Sequence, residues 1–296
     1  MPVFDVAFDA MSSRCEIRLA AIDELAANQI AQSAIKEIKR IEYKYSRYRA
    51  DSVVTHINAA AGKKWMQCDE ETLALFSYAN DIYLLSDGLF DITSGILRNA
   101  WNFRSTEIPK ADVISALIKR IGWGKVKQER QSIYLPEVGM EVDFGGFGKE
   151  YAADRAAGIL IKQGVKHGYV NLGGDMRFIG PQPDEQPWLI GIQDPRDAHR
   201  TVATLPVSRG ALATSGDYER FFELDGKRYC HILDPRSGMP VSHWRSVSVL
   251  APLAIAAGSC TTIAMLKQEK GLEFLEDSKM SYLAIDQQGK IFSRNT

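Results

Sequence analysis

The sequence predicts an α+β fold in which mixed and antiparallel sheets are covered by helices. Residues 3–9 and 14–20 have the pattern of one strand pair, and residues 281–292 have that of a closing hairpin. Between them, apolar residues recur at helical spacing, most extensively from Asp23 to about Tyr45. Because no Pro/Gly/Ser-rich linker divides the chain, we expect one compact unit over residues 1–296, with at most two lobes.

The middle of the chain supplies the remaining predicted elements. Asp69 has the position of a helix N-cap, and Asp225-Gly226 is a strong two-residue hairpin signal. Gly173-Gly174 interrupts a predicted strand, which indicates a bulge or a close approach of another backbone or ligand. In chain order these elements are helices at 69–88 and 111–121, a hairpin at 125–135, a strand end at 141–144, a helix ending at Gly164, strands at 168–178 and 188–193, a hairpin at 218–232, a strand at 247–251 and a helix at 253–268.

Composition and charge are those of an ordinary globular protein. The chain has 45% apolar and 25% charged residues and a net charge of −1, which gives no electrostatic case for nucleic-acid binding. The longest apolar run, residues 247–266, is interrupted by Pro252 and Gly258, so no membrane span is predicted. As written, the N-terminus has no signal peptide or lipobox and predicts a cytoplasmic protein; an exported protein whose upstream signal was removed stays open.

The four cysteines do not form a recognisable metal motif. Cys15, Cys68, Cys230 and Cys260 are scattered, with no CxxC pair, so zinc is not predicted. We expect them to be reduced and buried. A disulfide between Cys230 and Cys260 remains open from the sequence.

Residues 143–155, DFGGFGKEYAADR, are the stretch with the clearest chemical signal. They have the pattern of a strand end, a glycine turn and a helix. The glycines permit positive φ and leave no side chain between the backbone and a ligand. Free N–H groups at the start of a helix suit a phosphate, Lys149 adds a positive charge, and Asp143 adds an acceptor for a ring or hydroxyl.

This turn belongs to neither common class of phosphate-binding loop. A P-loop requires a glycine at position 143 and Ser or Thr at position 150, where this chain has Asp143 and Glu150. The Rossmann pattern requires a glycine where this chain has Tyr151. The turn is therefore compatible with phosphate binding, and a packing role is the alternative.

Several further motifs accompany this stretch in a fixed order. They are GLFDIT at 88–93, YVNLGGD at 169–175, ATSGDY at 213–218 and HILDPRSG at 231–238. With residues 143–155, this set resembles the ApbE-like flavin transferases (FAD:protein FMN transferases) over about residues 11–266. The resemblance implies an ApbE-like, T-fold-related architecture and Mg²⁺-assisted transfer of FMN from FAD to a Thr or Ser hydroxyl of an acceptor flavoprotein subunit, with release of AMP. FAD and Mg²⁺ are the implied cofactors.

The resemblance also assigns site residues. Those that it places against FAD are Met11, Tyr48, Leu89, Phe90, Asp91, Asp143, Lys149 and Ile232. The metal ligands that it implies are a backbone carbonyl, which maps to Gly146, and a hydroxyl, which maps to Thr262. The family's Met is usually followed by Gly-Thr, and here Ser12-Ser13 follow Met11.

One position departs from the family pattern. The family holds its metal with an Asp four residues before the Thr, one helical turn away, and this chain has Gly258 there. Loss of that carboxylate favours an alternative: an FAD-binding protein with the family fold but without efficient transfer. FAD's own phosphates can still supply part of the coordination of Mg²⁺. Close packing of the helix is a structural reason for Gly258.

The sequence leaves the general base unassigned. Asp143, Asp175 and His231 are candidates, because each residue type can accept a proton, but no geometry chooses among them. A buried core histidine is the structural alternative for His231. The acceptor protein and the oligomeric state are not specified.

Overall fold

The structure is a computed structural model that describes residues 1–295. It contains seven α-helices and fifteen strands within that range. The helices are α1 (Glu24–Tyr45), α2 (Val53–Ala59), α3 (Glu70–Leu85), α4 (Ala111–Ile118), α5 (Gly148–Lys162), α6 (Ala254–Lys267) and α7 (Gly271–Ser278). The strands are β1 (Val3–Ala10), β2 (Ser13–Ala20), β3 (Met66–Gln67), β4 (Lys127–Glu129), β5 (Ser132–Tyr134), β6 (Gly168–Leu172), β7 (Asp175–Gly180), β8 (Trp188–Asp194), β9 (Asp197–Val207), β10 (Gly210–Gly216), β11 (Phe221–Leu224), β12 (Lys227–Cys230), β13 (Trp244–Ala251), β14 (Ser281–Asp286) and β15 (Ile291–Arg294).

An eight-stranded sheet organises the fold. Its order is β1-β2-β6-β7-β10-β13-β14-β15, and each described pair is antiparallel. Helices α1, α5 and α6 cover one face, where the main hydrophobic core lies. A second apolar cluster involves the β8–β9 ribbon, with Trp188 packed edge-to-face on Tyr169. The predicted α+β class is confirmed.

Three helices form where the sequence predicts them, for the expected reasons. Asp23 caps α1 by accepting the N–H of Ala26 at 2.8 Å, and Asp69 caps α3 by accepting the N–H of Thr72 at 2.9 Å. The third, α5, ends at Lys162, and Gly164 follows in the left-handed conformation with φ of +88°.

The contact between α5 and α6 positions the candidate site. Asp154 of α5 accepts the N–H groups of Ala254 and Ile255 at 2.9 Å each, and so caps α6 from outside that helix. Glu150 is one turn before Asp154, and Gly258 is one turn after Ala254. The two helices therefore bring Glu150 and Gly258 face to face.

Two predictions about the strands beside the site were wrong. Residues 141–144 form no strand, because the Asn58 side chain, rather than a neighbouring strand, bonds the N–H and the carbonyl of Val142, at 2.8 and 3.0 Å. Gly173 and Gly174 form the turn of the β6–β7 hairpin rather than a bulge within one strand. Both have positive φ, +65° and +101°, which suits a tight turn between paired strands.

The remaining general predictions concern cysteines and membranes. All four cysteines are free and buried, as expected, so the open alternative of a Cys230–Cys260 disulfide is not realised. Of the helices described, none has the length and apolar character that crossing a bilayer requires.

Candidate functional site

The glycine loop, residues 143–149, joins the extended segment to α5. Gly145, Gly146 and Gly148 do not have positive φ, so the left-handed conformation that glycine permits is not used here. Room is the physical reason instead: a Cβ on Gly146 would lie 2.8 Å from Cζ of the buried Phe90 ring. Gly145 and Gly146 are exposed, so bare backbone faces solvent on one side and packs on Phe90 on the other.

Asp143 shapes the glycine loop through both of its carboxylate oxygens. Oδ1 accepts the N–H of Gly145 at 2.9 Å, and Oδ2 accepts a hydrogen bond from Arg47. The backbone N–H of Asp143 donates to the carbonyl of Ile92 at 2.9 Å. These partners fix the start of the loop, and contact with FAD stays a prediction for this residue.

Lys149 and Asp175 form an ion pair beside the loop. Lys149 Nζ lies 2.7 Å from Asp175 Oδ2, and Asp175 is 5% exposed. Desolvation raises the pKa of Asp175 against the opposing effect of Lys149. Desolvation alone would lower the pKa of Lys149, but the charges of Asp175 and Glu150 outweigh it, so this pKa lies above its usual value. Lys149 is therefore cationic at neutral pH.

Two hairpin turns converge on this ion pair. A Cβ on Gly173 would meet Ser13 Oγ at 2.8 Å and Lys149 Nζ at 4.0 Å. The β6–β7 turn, the β1–β2 turn and Lys149 are thus neighbours, although they are far apart in the sequence. The structure brings these three segments together at one end of the sheet.

The β1–β2 turn holds Met11 in a costly conformation. Met11 and Ser12 have φ of 52° and 58°, a region that residues other than glycine rarely adopt. Glu42 of α1 holds the turn by accepting the N–H of Met11 at 2.7 Å. Such held conformations concentrate at functional sites, which is consistent with the predicted role of Met11.

Tyr48 is an exposed aromatic residue that an arginine supports. Tyr48 is 73% exposed. Arg47 donates to its hydroxyl at 2.8 Å, and the guanidinium carbon lies 4.9 Å from the ring centroid. One guanidinium therefore contacts both Tyr48 and Asp143.

The 89–91 segment contributes mainly packing in this structure. Asp91 is buried, and burial raises its pKa. Its Oδ1 accepts the N–H and the hydroxyl of Thr93 at 2.7 and 2.6 Å, and its Oδ2 accepts the N–H of Trp123 at 2.9 Å. These bonds occupy the carboxylate of Asp91, while Leu89 is half-buried. Contact of Leu89 with FAD stays a prediction; for Asp91 the resemblance predicts the same contact, but its occupied carboxylate favours a structural role.

His231 and Ile232 follow β12. His231 is exposed, and its backbone N–H donates to the carbonyl of Arg220 at 3.0 Å. Desolvation, followed by the positive charges of Arg220 and Lys149, lowers the pKa of His231 to about 4, so the imidazole is neutral at pH 7. The residue keeps exposed surface while the neighbouring protein desolvates its imidazole, so the core-histidine alternative stays open. Ile232 is half-buried, with its carbonyl bonded to the N–H of Val241 at 3.0 Å.

The side chain of Glu150 fills the space beside Gly258. A Cβ on Gly258 would lie 2.7 Å from Glu150 Cγ and 2.8 Å from Glu150 Cδ, with Oε1 nearer still. Glu150 is 7% exposed, and its Oε2 is buried without a hydrogen-bond partner among the residues that the structure describes. Burial, followed by the charge of Asp175, raises the pKa of Glu150 well above its usual value. Gly258 is therefore required for packing, as the structural alternative proposed.

Thr262 lies one turn beyond Gly258 and belongs to a group of hydroxyls. Its Oγ1 is 3.3 Å from Ser215 Oγ, which in turn lies 2.8 Å from Thr261 Oγ1. Thr261 donates to the carbonyl of Gly258 at 2.8 Å. Thr262 is half-buried, and so reachable by a ligand.

The residues at the α5–α6 contact include oxygen donors of the kind that a hard cation prefers. Across residues 1–295, no group of three or more His, Cys, Asp or Glu side chains is arranged to hold a metal. The donors present are of another kind: the unpartnered carboxylate oxygen of Glu150 and the hydroxyl of Thr262. Oxygen donors are the ligands that Mg²⁺ prefers, with waters and substrate phosphates completing its shell.

Sequence reasoning missed three contributors to this site. Glu150 entered the argument only as a mismatch to the P-loop, Ser215 only as part of the motif at 213–218, and Arg47 not at all. Their roles depend on contacts with residues far away in the sequence: Arg47 with Asp143, Ser215 with Thr262, 47 positions later, and Glu150 with Gly258. No local spacing reports such contacts.

Comparison with known proteins identifies relatives along nearly the whole chain. The sequence pattern of the ApbE family matches residues 11–284. A curated relative, "FAD:protein FMN transferase" of Klebsiella pneumoniae (strain 342), is 34% identical over 268 residues, covering 88% of this chain and 82% of the relative. Another with the same name, from Vibrio cholerae, is 30% identical over 272 residues, covering 88% and 80% of the two chains.

Solved structures agree with this fold. The crystal structure of the ApbE protein of Thermotoga maritima superposes with a TM-score of 0.91 at 31% identity, covering 99% of this chain and 97% of that one. The flavin transferase ApbE of Vibrio cholerae superposes with a TM-score of 0.89 at 25% identity, with the same coverage. Motif order, fold and extended similarity agree: this chain belongs to the ApbE family.

Proposed function

We propose that the protein is an FAD:protein FMN transferase, which moves FMN from FAD to a Thr or Ser hydroxyl of an acceptor flavoprotein and releases AMP. The observation that carries the proposal is the Lys149–Asp175 ion pair beside the bare backbone of the glycine loop, in a chain of the ApbE family. A cationic group and an unobstructed helix start are what a pyrophosphate requires.

The other predicted residues suit the remainder of FAD. Tyr48 offers an exposed ring for stacking on a flat heterocycle, at the same side of the loop as Arg47 and Asp143. Met11 presents a half-buried thioether from a turn that Glu42 holds in place. We assign these residues to the flavin and Lys149 to the phosphates.

The reaction is a displacement at phosphorus. The acceptor hydroxyl oxygen bonds to the phosphorus of the FMN half, the bridging P–O bond to the AMP half breaks, and AMP leaves with that bridging oxygen. The hydroxyl proton passes to a base. Alignment and charge neutralisation are the main requirements of such a step, because little covalent help is needed.

His231 is the best candidate for that base. Asp143 is bonded to Arg47 and Gly145, and Asp175 is buried under Lys149, so neither carboxylate is free to receive a proton from a bulky acceptor. His231 is exposed and neutral, with its lowered pKa leaving a nitrogen lone pair available at pH 7.

Mg²⁺ belongs to the same proposal. Gly146, through its carbonyl, and Thr262, through its hydroxyl, are the ligands that the family pattern assigns, with FAD's phosphates as further donors. A bound Mg²⁺ neutralises charge on the pyrophosphate and on the departing AMP. Lys149 supplies a second positive charge next to the loop whether or not the metal is bound.

The test is covalent labelling. The protein is mixed with FAD, Mg²⁺ and an acceptor domain that carries a Thr-containing flavinylation motif, and the denatured acceptor is examined for in-gel flavin fluorescence. We expect a fluorescent acceptor band that is lost with EDTA and with a Thr→Val acceptor. FAD binding without labelling would replace this proposal with the alternative of an FAD-binding protein, which the absence of a carboxylate at Gly258 favours.

A further inference from the structure

We infer that Glu150 supplies the metal-binding carboxylate that the family places at the position of Gly258, so that the carboxylate has moved from α6 to α5. The inference rests on the proposed function, since it concerns the cation of that reaction. It makes this chain a metal-dependent transferase rather than one whose metal site has been lost.

The first argument is position. An Asp carries its carboxylate oxygens roughly 2.4 Å from its Cβ, given ordinary bond lengths. In this chain the Glu150 carboxyl carbon lies 2.8 Å from the place of a Cβ on residue 258, and Oε1 is closer. The carboxylate of Glu150 thus occupies the region that an Asp side chain from α6 would fill. Glutamate and glycine at these positions are complementary: neither a carboxylate from α6 nor even a methyl group fits while Glu150 is in place.

The second argument is the missing partner. A buried carboxylate oxygen without a hydrogen bond is costly, and native proteins pair nearly all such atoms. Glu150 Oε2 is one of the few buried side-chain atoms in the described chain with no partner. The nearby Asp154 shows the usual solution, because both of its oxygens accept backbone N–H groups of α6. A cation would satisfy Glu150 in the same way.

The third argument is the surrounding chemistry. Lys149 is the adjacent cation, but its Nζ is directed to Asp175 at 2.7 Å. Thr262, one turn from Gly258, places a half-buried hydroxyl on the same helix. Carboxylate, hydroxyl, backbone carbonyl and phosphate oxygens together form a donor set for a hard divalent ion.

The experiment measures metal binding directly, without turnover. Mn²⁺ replaces Mg²⁺ as the probe, and free Mn²⁺ is followed by EPR as it is titrated into the freshly mixed FAD complex in the absence of acceptor. The variants are Glu150→Gln, which keeps the shape and removes the charge, and the exchange double variant Glu150→Gly/Gly258→Asp. The control is Glu71→Gln, which removes a carboxylate that is paired with Arg40 and Lys44 and accepts a hydrogen bond from Tyr151 of α5 at 2.8 Å. It weakens the support of α5 but leaves the Glu150 carboxylate in place, and so reports lost stability.

We expect Glu150→Gln to weaken Mn²⁺ binding by about tenfold or more, while the exchange variant recovers to within about threefold of the natural protein. Glu71→Gln should leave the Mn²⁺ affinity unchanged even where it lowers the melting temperature. Unchanged Mn²⁺ affinity in Glu150→Gln, or an FAD complex of the natural protein that binds no Mn²⁺, would overturn the inference. Acceptor labelling tests the proposed function separately, so a labelling enzyme with an unaffected Glu150→Gln variant would refute only the relocated carboxylate.

Discussion

An Asp at position 258, where the resemblance implies a metal ligand, should by itself destabilise this protein. In Gly258→Asp the new Cβ would lie 2.7 and 2.8 Å from carbons of Glu150, in a buried contact where the glutamate has little room to move. Overpacking of this kind costs about 1–3 kcal/mol, and a second buried carboxylate adds to it. We therefore expect a loss of about 2–4 kcal/mol. At about 0.6 kcal/mol/K for 296 residues, the melting temperature should fall by about 3–6 °C.

A double-mutant cycle separates this clash from other effects. Differential scanning calorimetry compares the natural protein with Gly258→Asp, Glu150→Gly and the double variant. Because the two side chains compete for one space, Gly258→Asp should cost at least about 1.5 kcal/mol less when Glu150 is already glycine. A stable Gly258→Asp variant with no coupling to Glu150 would refute the described contact. Gly258→Ala is the matched control, since it adds the Cβ without the charge and should cost less.

Three further predictions concern the site and its support. Lys149→Ala removes the cation beside the glycine loop and leaves Asp175 buried without its partner. The Kd for FAD in a flavin-fluorescence titration should therefore rise about tenfold or more. An unchanged Kd would mean that the phosphates bind elsewhere. Because the pKa of His231 is lowered to about 4, the imidazole stays neutral as pH falls from 7.5 to 5.5, and kcat/KM for labelling should be flat over that range. An acid limb centred near pH 6.5 that disappears in His231→Ala would contradict the lowered pKa, and equal labelling by His231→Ala would contradict the role of His231 as base. Asp91→Ala loses three hydrogen bonds, so the free energy of unfolding measured in urea should fall by about 2–4 kcal/mol. The FAD affinity of the folded variant should change less than about threefold. A large loss of affinity at unchanged stability would instead make Asp91 a direct ligand contact.

Local patterns predicted most of the fold because their causes are local. Asp23 and Asp69 cap helices by bonding N–H groups three residues away, and Asp225-Gly226 joins two strands by turn geometry alone. The same reasoning failed at residues 141–144, where the extended backbone is satisfied by Asn58, more than eighty residues earlier. A stretch of alternating polar and apolar residues such as EVDF looks the same in sequence whether a strand or a side chain bonds to its backbone.

The candidate site shows the same difference between local patterns, which the sequence reveals, and long-range contacts, which it does not. The family resemblance predicted roles for Lys149, Asp175 and the glycine loop, because those residues stand in recognisable motifs. It also implied a missing carboxylate at Gly258 but no replacement for it, since Glu150 meets Gly258 only when α5 packs on α6. In the folded protein Gly258 leaves room for the Glu150 side chain, and the sequence alone does not indicate this contact for either residue.

The most direct test of the transferase assignment is the stoichiometry of its two products. The natural protein is incubated with FAD, Mg²⁺ and the acceptor; AMP is measured by chromatography, and the acceptor by intact mass spectrometry. The account predicts one AMP for each acceptor molecule that gains an FMN group on its Thr. AMP formed without a modified acceptor would mean that the protein hydrolyses FAD, and FAD bound with neither product would mean that it is a flavin-binding protein; either result would contradict the transferase.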